Sequence, residues 1–472
     1  MGGGMRDLLD ELFEAHPGEL PYLVHDGRIV DRAEVRTAVA EEAKVFSGFG
    51  IGDGSTVMVQ VPSSRTQVEV VFALWSLGAQ VMLVDHRLAP AEVDALRSLC
   101  RPEFTVRATA GGRFAMAFQS TYELVTKHHR DGATAVTEHR LVQFSSGSTG
   151  QPKVIGRTPA SLAAEVERFT RIDGMPKAGE RVLLLSSTAH SFGLIAGLLH
   201  SLAVGVAAVF TPRVSAKDVL ATAAKHDVHA IFGTPFHYEL LTTAKSLPVL
   251  PSLRAAVSGG ELMPAGVAET FWERFGVRLG ESYGTTETGV IAMDVSGKSR
   301  PAVGKAAPGI VLRVNQGELE VELPEGTPYL FESKSGGAVS DHPVADRYTN
   351  GWLRTYDRAE QDEHGAVRLL GRSDSLVVIG GLKVDLVEVE SVLRQHPRIT
   401  DVVVIHAESI EAYVSAEENG PGAGELVGWC RDRLAAYKVP RLIRVLPELP
   451  RTANGKLIRR TQALRGAVPG PS

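Results

Sequence analysis

Short apolar runs rich in Val, Ile and Leu alternate along this chain with amphipathic stretches. TVMVQVP at 56–62 is followed by QVEVVFALWSLG, then AQVMLVD at 79–85, then PAEVDALRSLC. Runs that are apolar at consecutive positions predict strands buried on both faces. The amphipathic stretches between them predict the covering helices, which together make a parallel sheet. The rhythm resumes with RVLLLSS at 181–187, VAAVFTP at 206–212, HAIFGTP at 229–235 and RAAVSGG at 254–260, with AKDVLATAAKH among the helical spacers. A large α/β body is therefore expected. From about Gly304 to Asp357 the pattern breaks into short pieces with turn residues, such as IVLRVNQGELEVEL, which predicts an antiparallel or barrel-like subdomain. After GRSDS at 371–375 the pattern becomes a compact α+β one: VVIGGLKVD, the helix LVEVESVLRQH, the strands DVVVIHA and EAYVSAEE, and the helix GELVGWCRDRLAAY. The domain boundary is placed near Asp374, and no internal repeat is visible.

The segment Phe192 to Phe210 approaches membrane-spanning length, but Gly193, Gly197, His200, Ser201 and Gly205 interrupt it, and its β-branched residues gather in the second half. It reads as a buried helix, a turn and a buried strand. At the amino terminus Asp7, Asp10, Glu11 and Glu14 stand where a secretory signal needs an apolar centre, and Arg6 stands where a myristoylation motif wants Ser or Thr, so neither export nor a lipid anchor is expected.

Composition narrows the class. The 472 residues include 50 Lys and Arg against 55 Asp and Glu, a net charge of −5, so no basic surface for nucleic acid is advertised. A hydrophobic fraction of 44% supplies material for large cores. Cys100 and Cys430 are too few for a disulfide framework or a thiolate zinc site and fit a reducing compartment, so a cytoplasmic chain is expected.

The candidate chemistry lies in scattered segments. Ser145 to Lys153 reads SSGSTGQPK after the apolar stretch LVQF. Glycines allow the backbone close to a phosphate chain, hydroxyls and main-chain N–H groups donate to its oxygens, and Lys153 neutralises charge. The spacing is neither that of a Walker A loop nor that of a nucleophile elbow, and a flexible turn is the competing reading. YGTTE at 283–287 places an aromatic beside a glycine and a carboxylate, suited to stacking on a base and ligating a cation between phosphates. GWLRTYD at 351–357 offers Asp357 as an acceptor for sugar hydroxyls, and Arg372 in GRSD adds a fork of donors. PRTANGKLIRR at 450–460 presents Lys456 on a turn-rich loop.

In this order, from about Leu141 to Arg460, these segments resemble the adenylate-forming superfamily of acyl- and aryl-CoA ligases, peptide-synthetase adenylation domains and luciferases. The resemblance implies an α/β fold: a large amino-terminal domain of doubly wound sheets plus a β-barrel subdomain, residues 1–372, and a small mobile α+β carboxyl-terminal domain, residues 373–472, hinged at Asp374. It implies that Ser145, Ser146, Gly147, Ser148, Thr149, Gly150 and Lys153 hold pyrophosphate, and that Tyr283, Gly284 and Thr285 face adenine against Gly259, Gly260 and Glu261. Thr286 would touch the α-phosphate, Glu287 would hold Mg²⁺, Asp357 and Arg372 would take the ribose, and Lys456 would be the mobile catalytic lysine. Gly381 resembles the glycine that lines the family's thiol tunnel, with a β-turn glycine as the other reading.

The implied reaction consumes ATP with Mg²⁺, forms an acyl-adenylate from a small carboxylic acid, and transfers it to the thiol of coenzyme A or of a carrier-protein phosphopantetheine. His190 in AHSFG resembles the gate before the acid pocket, and a core histidine is the alternative. Relatives that activate amino acids carry Asp at the next position, where this chain has Ser191, which cannot neutralise a buried ammonium. Ser191, Phe192, Gly193, Phe236, Gly259 and Gly284 would line an uncharged slot for an aryl or modest acyl acid. The chain departs from the family pattern at Val154, at Tyr356, where the family has glycine, and at Lys383, where arginine is common. Two other fates stay open: adenylation with a non-thiol acceptor, and a catalytically silent nucleotide binder. A monomer or homodimer, without nucleic-acid or membrane partners, is expected.

Overall fold

A computed structural model of the chain describes residues 4–467 apart from 26, 87, 89, 110–120, 147–151, 325–327, 334–338, 341–346, 380–381, 418, 435–437 and 453–454. The chain divides into two compact units. The first comprises Met1–Arg313, Glu320–Leu353 and Gln361–Arg368, and the second Val314–Leu319, Arg354–Glu360 and Leu369–Ser472.

In the first unit the apolar runs form two sheets. One contains the parallel strands Gln80–Leu83, Thr56–Gln60 and Phe104–Ala108, with Leu141–Ser146 parallel to Gln80–Leu83 on the other side. The strand Pro152–Arg157 then returns antiparallel to Leu141–Ser146. The other sheet runs Leu279–Thr285, Ala255–Gly259, Ala230–Gly233, Arg181–Leu184, Ala207–Val209 and Pro21–His25, neighbour by neighbour and all parallel. At the Leu279–Thr285 side it continues antiparallel through Gly289–Asp294 and Gly304–Ala306 to residues 366–367. Val57, Val59, Val81, Val182, Phe232 and Val257 are buried at 3% or less and belong to one core cluster, the outcome expected of strands covered on both faces.

Local chemistry sets where the helices begin. Ser64 Oγ accepts from Gln67 N at 2.9 Å, Thr158 Oγ1 from Ser161 N at 3.2 Å and Ser215 Oγ from Asp218 N at 3.1 Å, each satisfying a donor that the first helical turn leaves open. The apolar segment at 192–210 is a π-helical turn, Phe192–Leu199, continued by the α-helix His200–Val204, a left-handed Gly205 and the strand Ala207–Val209. The helix, turn and strand expected there are present, with a π-helix as the refinement. Gly193 and Gly197 are required by contact, since a Cβ on the first would fall on Ser187 O and on the second would press against Leu184. Among the described residues no helix is long and apolar enough to cross a membrane.

In the second unit, Ile399–His406 pairs antiparallel with Ile410–Ala416, and Leu442–Leu446 joins parallel to the latter. Val389 and Leu393 of the helix Leu386–Arg394, and Leu426 and Cys430 of the helix Ala423–Arg431, pack with Val402, Val404, Ala412 and Val414 of this sheet. Cys100 and Cys430 are unpaired and buried, and burial pushes their thiols up to about 12 and about 11.

Candidate active site

Parallel strands bring their carboxyl ends to one edge, and in open α/β sheets ligands bind outside that edge. The segments leaving the edge of the second sheet are 185–191, 234–236, 260–261 and 283–287, which include most of the pocket and adenine candidates. The first sheet delivers Ser63, Asp85 and Ser145 from the corresponding ends of its own parallel strands.

Side chains join the two edges. Ser191 Oγ donates to Gln143 Oε1 at 2.6 Å, and Gln143 Nε2 donates to Ala189 O at 2.8 Å. His190 Nε2 lies 3.5 Å from Asp85 Oδ2, and His86 Nδ1 lies 3.7 Å from Asp85 Oδ1. Thr188 Oγ1 donates to Ser63 Oγ at 3.0 Å and also contacts Gln67 Oε1. A buried glutamine between two short polar bonds is held in one orientation, so it fixes Ser191 in turn. Among the described residues the hydroxyls of Ser186 and Ser258, both at strand ends on this edge, are buried without a hydrogen-bond partner.

Phe192, a candidate for the acid pocket, stacks on Phe232 with ring centroids 5.5 Å apart at 22°. A Cβ on Gly259 would stand 3.2 Å from the Phe192 ring, so glycine there keeps space open beside the aromatic face. Phe236, on the helix Pro235–Thr242, turns its ring edge-on to His237 at 5.5 Å. The strand ends at Gly259, whereas Gly260, with φ of 91°, and Glu261 lie in the exposed bend beyond it.

Tyr283, Gly284 and Thr285 end the strand Leu279–Thr285, and Thr286 and Glu287 occupy the turn to Gly289–Asp294. Register slips between Tyr283 and Gly284, and a Cβ on Gly284 would fall on Gly289 O, so this glycine serves the close approach of the two strands. Thr285 Oγ1 and Thr288 Oγ1 are bonded at 3.0 Å across the turn. Glu287 is 7% exposed and meets Arg347 Nη1 at 3.3 Å. Behind the strand, burial pushes the Glu281 carboxyl above its ordinary range, against the pull of Arg300 at 2.7 Å and of Met263 N–H.

The resemblance implies Mg²⁺, and the donor set fits it. Mg²⁺ is commonly held by one or two carboxylates together with substrate phosphates and water. Glu287 would supply one such carboxylate from the turn that follows the strand Leu279–Thr285.

Lys153 stands within the strand Pro152–Arg157, paired with Ser145 and Glu332, so the lysine belongs to a strand that begins where the loop ends. The backbones of Ser145 and Ser146 close the preceding strand, and Gly147, Ser148, Thr149 and Gly150 lie outside the described residues, as does Gly381. Val154 is fully buried with Met58, Met82 and Val142, which accounts for an apolar side chain at this position.

The second unit holds the sugar candidates. Arg372 Nη1 lies 3.4 Å from Asp357 Oδ1, and Asp357 N donates to Thr355 Oγ1 at 3.0 Å. Between Thr355 and Asp357, Tyr356 has φ of 62°, a left-handed conformation that glycine, the residue the resemblance leads one to expect there, adopts without strain. Ser373 Oγ donates to Tyr356 O at 3.0 Å, and the Arg354 guanidinium sits 5.1 Å from the Tyr356 ring. Asp374 falls in the single helical turn Ser373–Ser375, and Lys383 in the strand Leu382–Asp385. Lys456 is exposed on a turn closed by the bridge between Arg451 and Leu457.

Residues 9–328 match the family of AMP-binding enzymes, and residues 388–456 match the AMP-binding enzyme C-terminal domain. The chain belongs to the AMP-binding enzymes. This AMP-binding enzyme is 26% identical over 433 residues to a benzoate–CoA ligase of Thauera aromatica, covering 87% of this chain and 81% of that one. It is 25% identical over 466 residues to a feruloyl-CoA synthase of an Amycolatopsis species, covering 92% and 94%. Its fold is that of the O-succinylbenzoate coenzyme A synthetase of Bacillus subtilis solved with AMP, with a TM-score of 0.79, 24% identity and 96% of each chain covered.

Gln143, Asp85, Arg347, Phe232 and the pair Arg157 and Glu165 were not among the sequence candidates. Two of them carry a readable signal: Gln143 is the lone polar residue of the strand run LVQF, and Glu165 is the lone carboxylate on the buried stripe of its helix.

Proposed function

We propose that this AMP-binding enzyme uses ATP to activate an aryl or acyl carboxylic acid as its acyl-adenylate, releasing pyrophosphate, and then passes the acyl group to a thiol with release of AMP. The observation that supports the reading is the Ser191–Gln143 hydrogen bond, which joins the two sheet edges next to the pocket candidates Phe192 and Gly259, on the same edge as the Tyr283–Glu287 segment. The activities named for the benzoate and feruloyl relatives support an aryl acid and coenzyme A. A carrier-protein phosphopantetheine is the other acceptor of the same chemistry.

A carboxylate approaching the α-phosphorus of ATP brings like charges together, so the first half-reaction needs positioning and cations rather than a protein nucleophile. In this reading the Ser145–Lys153 segment holds the β- and γ-phosphates, Tyr283 faces adenine, Thr286 meets the α-phosphate, and Asp357 with Arg372 takes the ribose. Glu287 would hold Mg²⁺, which would supply neutralising charge when bound. Lys456, delivered by a mobile domain of residues 373–472 hinged at Asp374, bridges the acid and the nucleotide, while residues 1–372 bind both. Gly381 lines the path of the thiol. Position 191 carries Ser rather than the Asp that amino-acid-activating members of the resembled superfamily use, which favours acids without an α-ammonium group. Two buried free thiols favour the cytoplasm as the place of action.

The test is exchange of labelled pyrophosphate into ATP across aryl, acyl and amino acids, followed by coenzyme A or a phosphopantetheinylated carrier. Aryl or acyl acids are expected to support exchange and a thiol to discharge the adenylate. Exchange with α-amino acids alone, or with no acid, defeats the reading.

A further inference from the structure

The helix Pro159–Arg171 buries Leu162, Glu165, Val166 and Phe169, so a carboxylate stands in an otherwise apolar stripe. Glu165 is 2% exposed, and a carboxylate taken out of water at this depth is costly unless donors replace the solvent. Two donors meet it from opposite sides. Arg157 Nη2 donates to Oε2 at 2.7 Å, and Val290 N donates to Oε1 at 3.1 Å. Arg157 is itself clamped to the start of the helix, its Nε donating to Ser161 Oγ at 3.1 Å and Nη2 to Ser161 O at 3.2 Å.

Each donor belongs to a functional segment. Arg157 ends the strand that carries Lys153, and Val290 lies three residues beyond Glu287, at the start of Gly289–Asp294. The approach leaves no slack. Gly289 has φ of 70°, and a Cβ there would fall on the Glu165 carboxylate. Any side chain at 289 would collide with the carboxylate, and a turn displaced from the helix would lose the Val290 hydrogen bond.

We infer that Glu165, charge-matched by Arg157, is a positioning residue that fixes the Tyr283–Glu287 turn, and with it the Glu287 carboxylate, relative to the strand of Lys153. It acts through Val290 and Gly289 and touches no reacting group. The inference rests on the proposed role of Glu287. A purely architectural ion pair would change stability alone, whereas a positioning residue changes the rate of adenylation while leaving the acid's KM in place.

The experiment compares the full-length wild type with Glu165→Ala and with two charge-free pairs, Arg157→Met/Glu165→Gln, which keeps an acceptor for Val290 N–H, and Arg157→Met/Glu165→Leu, which removes it. Neither pair buries an unmatched charge, so both remain informative if Glu165→Ala fails to fold. Pyrophosphate exchange is measured with Mg·ATP and an acid that the wild type accepts, amide hydrogen exchange is followed over residues 285–293, and thermal melts are recorded in parallel. The Leu pair is expected to lose about 100-fold in kcat at nearly constant acid KM, with residues 285–293 deprotected, and the Gln pair to recover at least about tenfold of that loss together with the protection. Equal kcat for the two pairs, or losses that follow the melting temperature alone, overturns the inference. Should the wild type exchange with no acid, the proposed function fails, and amide protection still decides on Glu165, since equal protection in the two pairs shows that it does not hold the turn.

Discussion

Arg347 and Glu287 form an ion pair at 3.3 Å in which the side chains are 6% and 7% exposed. Glu287 is also the carboxylate proposed to hold Mg²⁺, so a protein cation already faces the proposed ligand. Removing one partner of a buried pair leaves the other charge poorly solvated, at a cost of about 3 kcal/mol. Arg347→Met is accordingly expected to lower the free energy of unfolding by about that amount in metal-free buffer. Mg²⁺ should raise the melting temperature of the variant more than that of the wild type, because the ion takes over the missing charge. Denaturant titrations with and without Mg²⁺ check this, and equal responses of the two proteins would show that Glu287 does not meet the metal.

Tyr356 is held at φ of 62°, where a side chain costs about 1 kcal/mol that glycine does not incur. Its carbonyl bond to Ser373 and its ring beside Arg354 offset part of that cost. Tyr356→Ala keeps the strained backbone and loses the ring, whereas Tyr356→Gly loses the ring and relieves the strain. The glycine variant should therefore be the more stable of the two by roughly 0.5 to 1 kcal/mol in urea unfolding. The reverse order would mean that the backbone at 356 is not left-handed.

The fold was legible because its signals are local. Runs such as TVMVQ and AAVSG are apolar at most positions, and amphipathic spacing with Ser or Thr at the caps marks the helices between them. The segments that carry Tyr283, Glu287, Asp357 and Lys456 were legible because glycine-rich turns beside charged residues stand out from such runs. The partners that organise the site were not. Glu165 reaches Val290 across 125 residues and Glu287 reaches Arg347 across 60, distances closed by the order of strands in the sheet and invisible to any window of sequence. Lys153 illustrates the same limit at short range, since the segment reads as one loop while pairing with residues 145 and 332 makes its last part a strand.

Lys456 is exposed on a turn whose geometry is fixed independently of its side chain. Thr452 N donates to Lys456 O at 2.6 Å, Lys456 N donates to Thr452 Oγ1 at 3.2 Å, and Arg451 Nη2 contacts both oxygens of Asp401 at 2.6 Å. Lys456→Ala should thus fold with a stability within about 0.5 kcal/mol of the wild type. Adenylation, measured by pyrophosphate exchange, is expected to fall about 100-fold or more, because the lost charge acts on developing negative charge. Transfer from a supplied acyl-adenylate to thiol should change by less than about threefold, since that step no longer brings a carboxylate against the phosphate. Equal loss in both half-reactions would remove Lys456 from its assigned role.

His200 links the fold to pH. It is 1% exposed, its Nε2 has no hydrogen-bond partner among the described residues, and burial pushes its pKa down to about 4 from 6.5. A histidine depressed in the folded state is neutral there, while the unfolded chain binds a proton once pH falls below 6.5. The unfolded state then holds more protons, so the contribution is intact above pH 6.5 and is lost progressively toward pH 4. At pH 5 the loss from this one group is about 2 kcal/mol relative to pH 7.5. His200→Leu, which keeps an apolar contact with Phe169, should remove that part of the pH dependence whatever it does to stability at neutral pH. Urea unfolding of both proteins at pH 7.5 and pH 5 measures the difference of differences. Parallel losses in wild type and variant would show that His200 is protonated or solvated in the native state, contrary to its burial at the start of the helix His200–Val204, edge-on to Phe169 of the helix Pro159–Arg171.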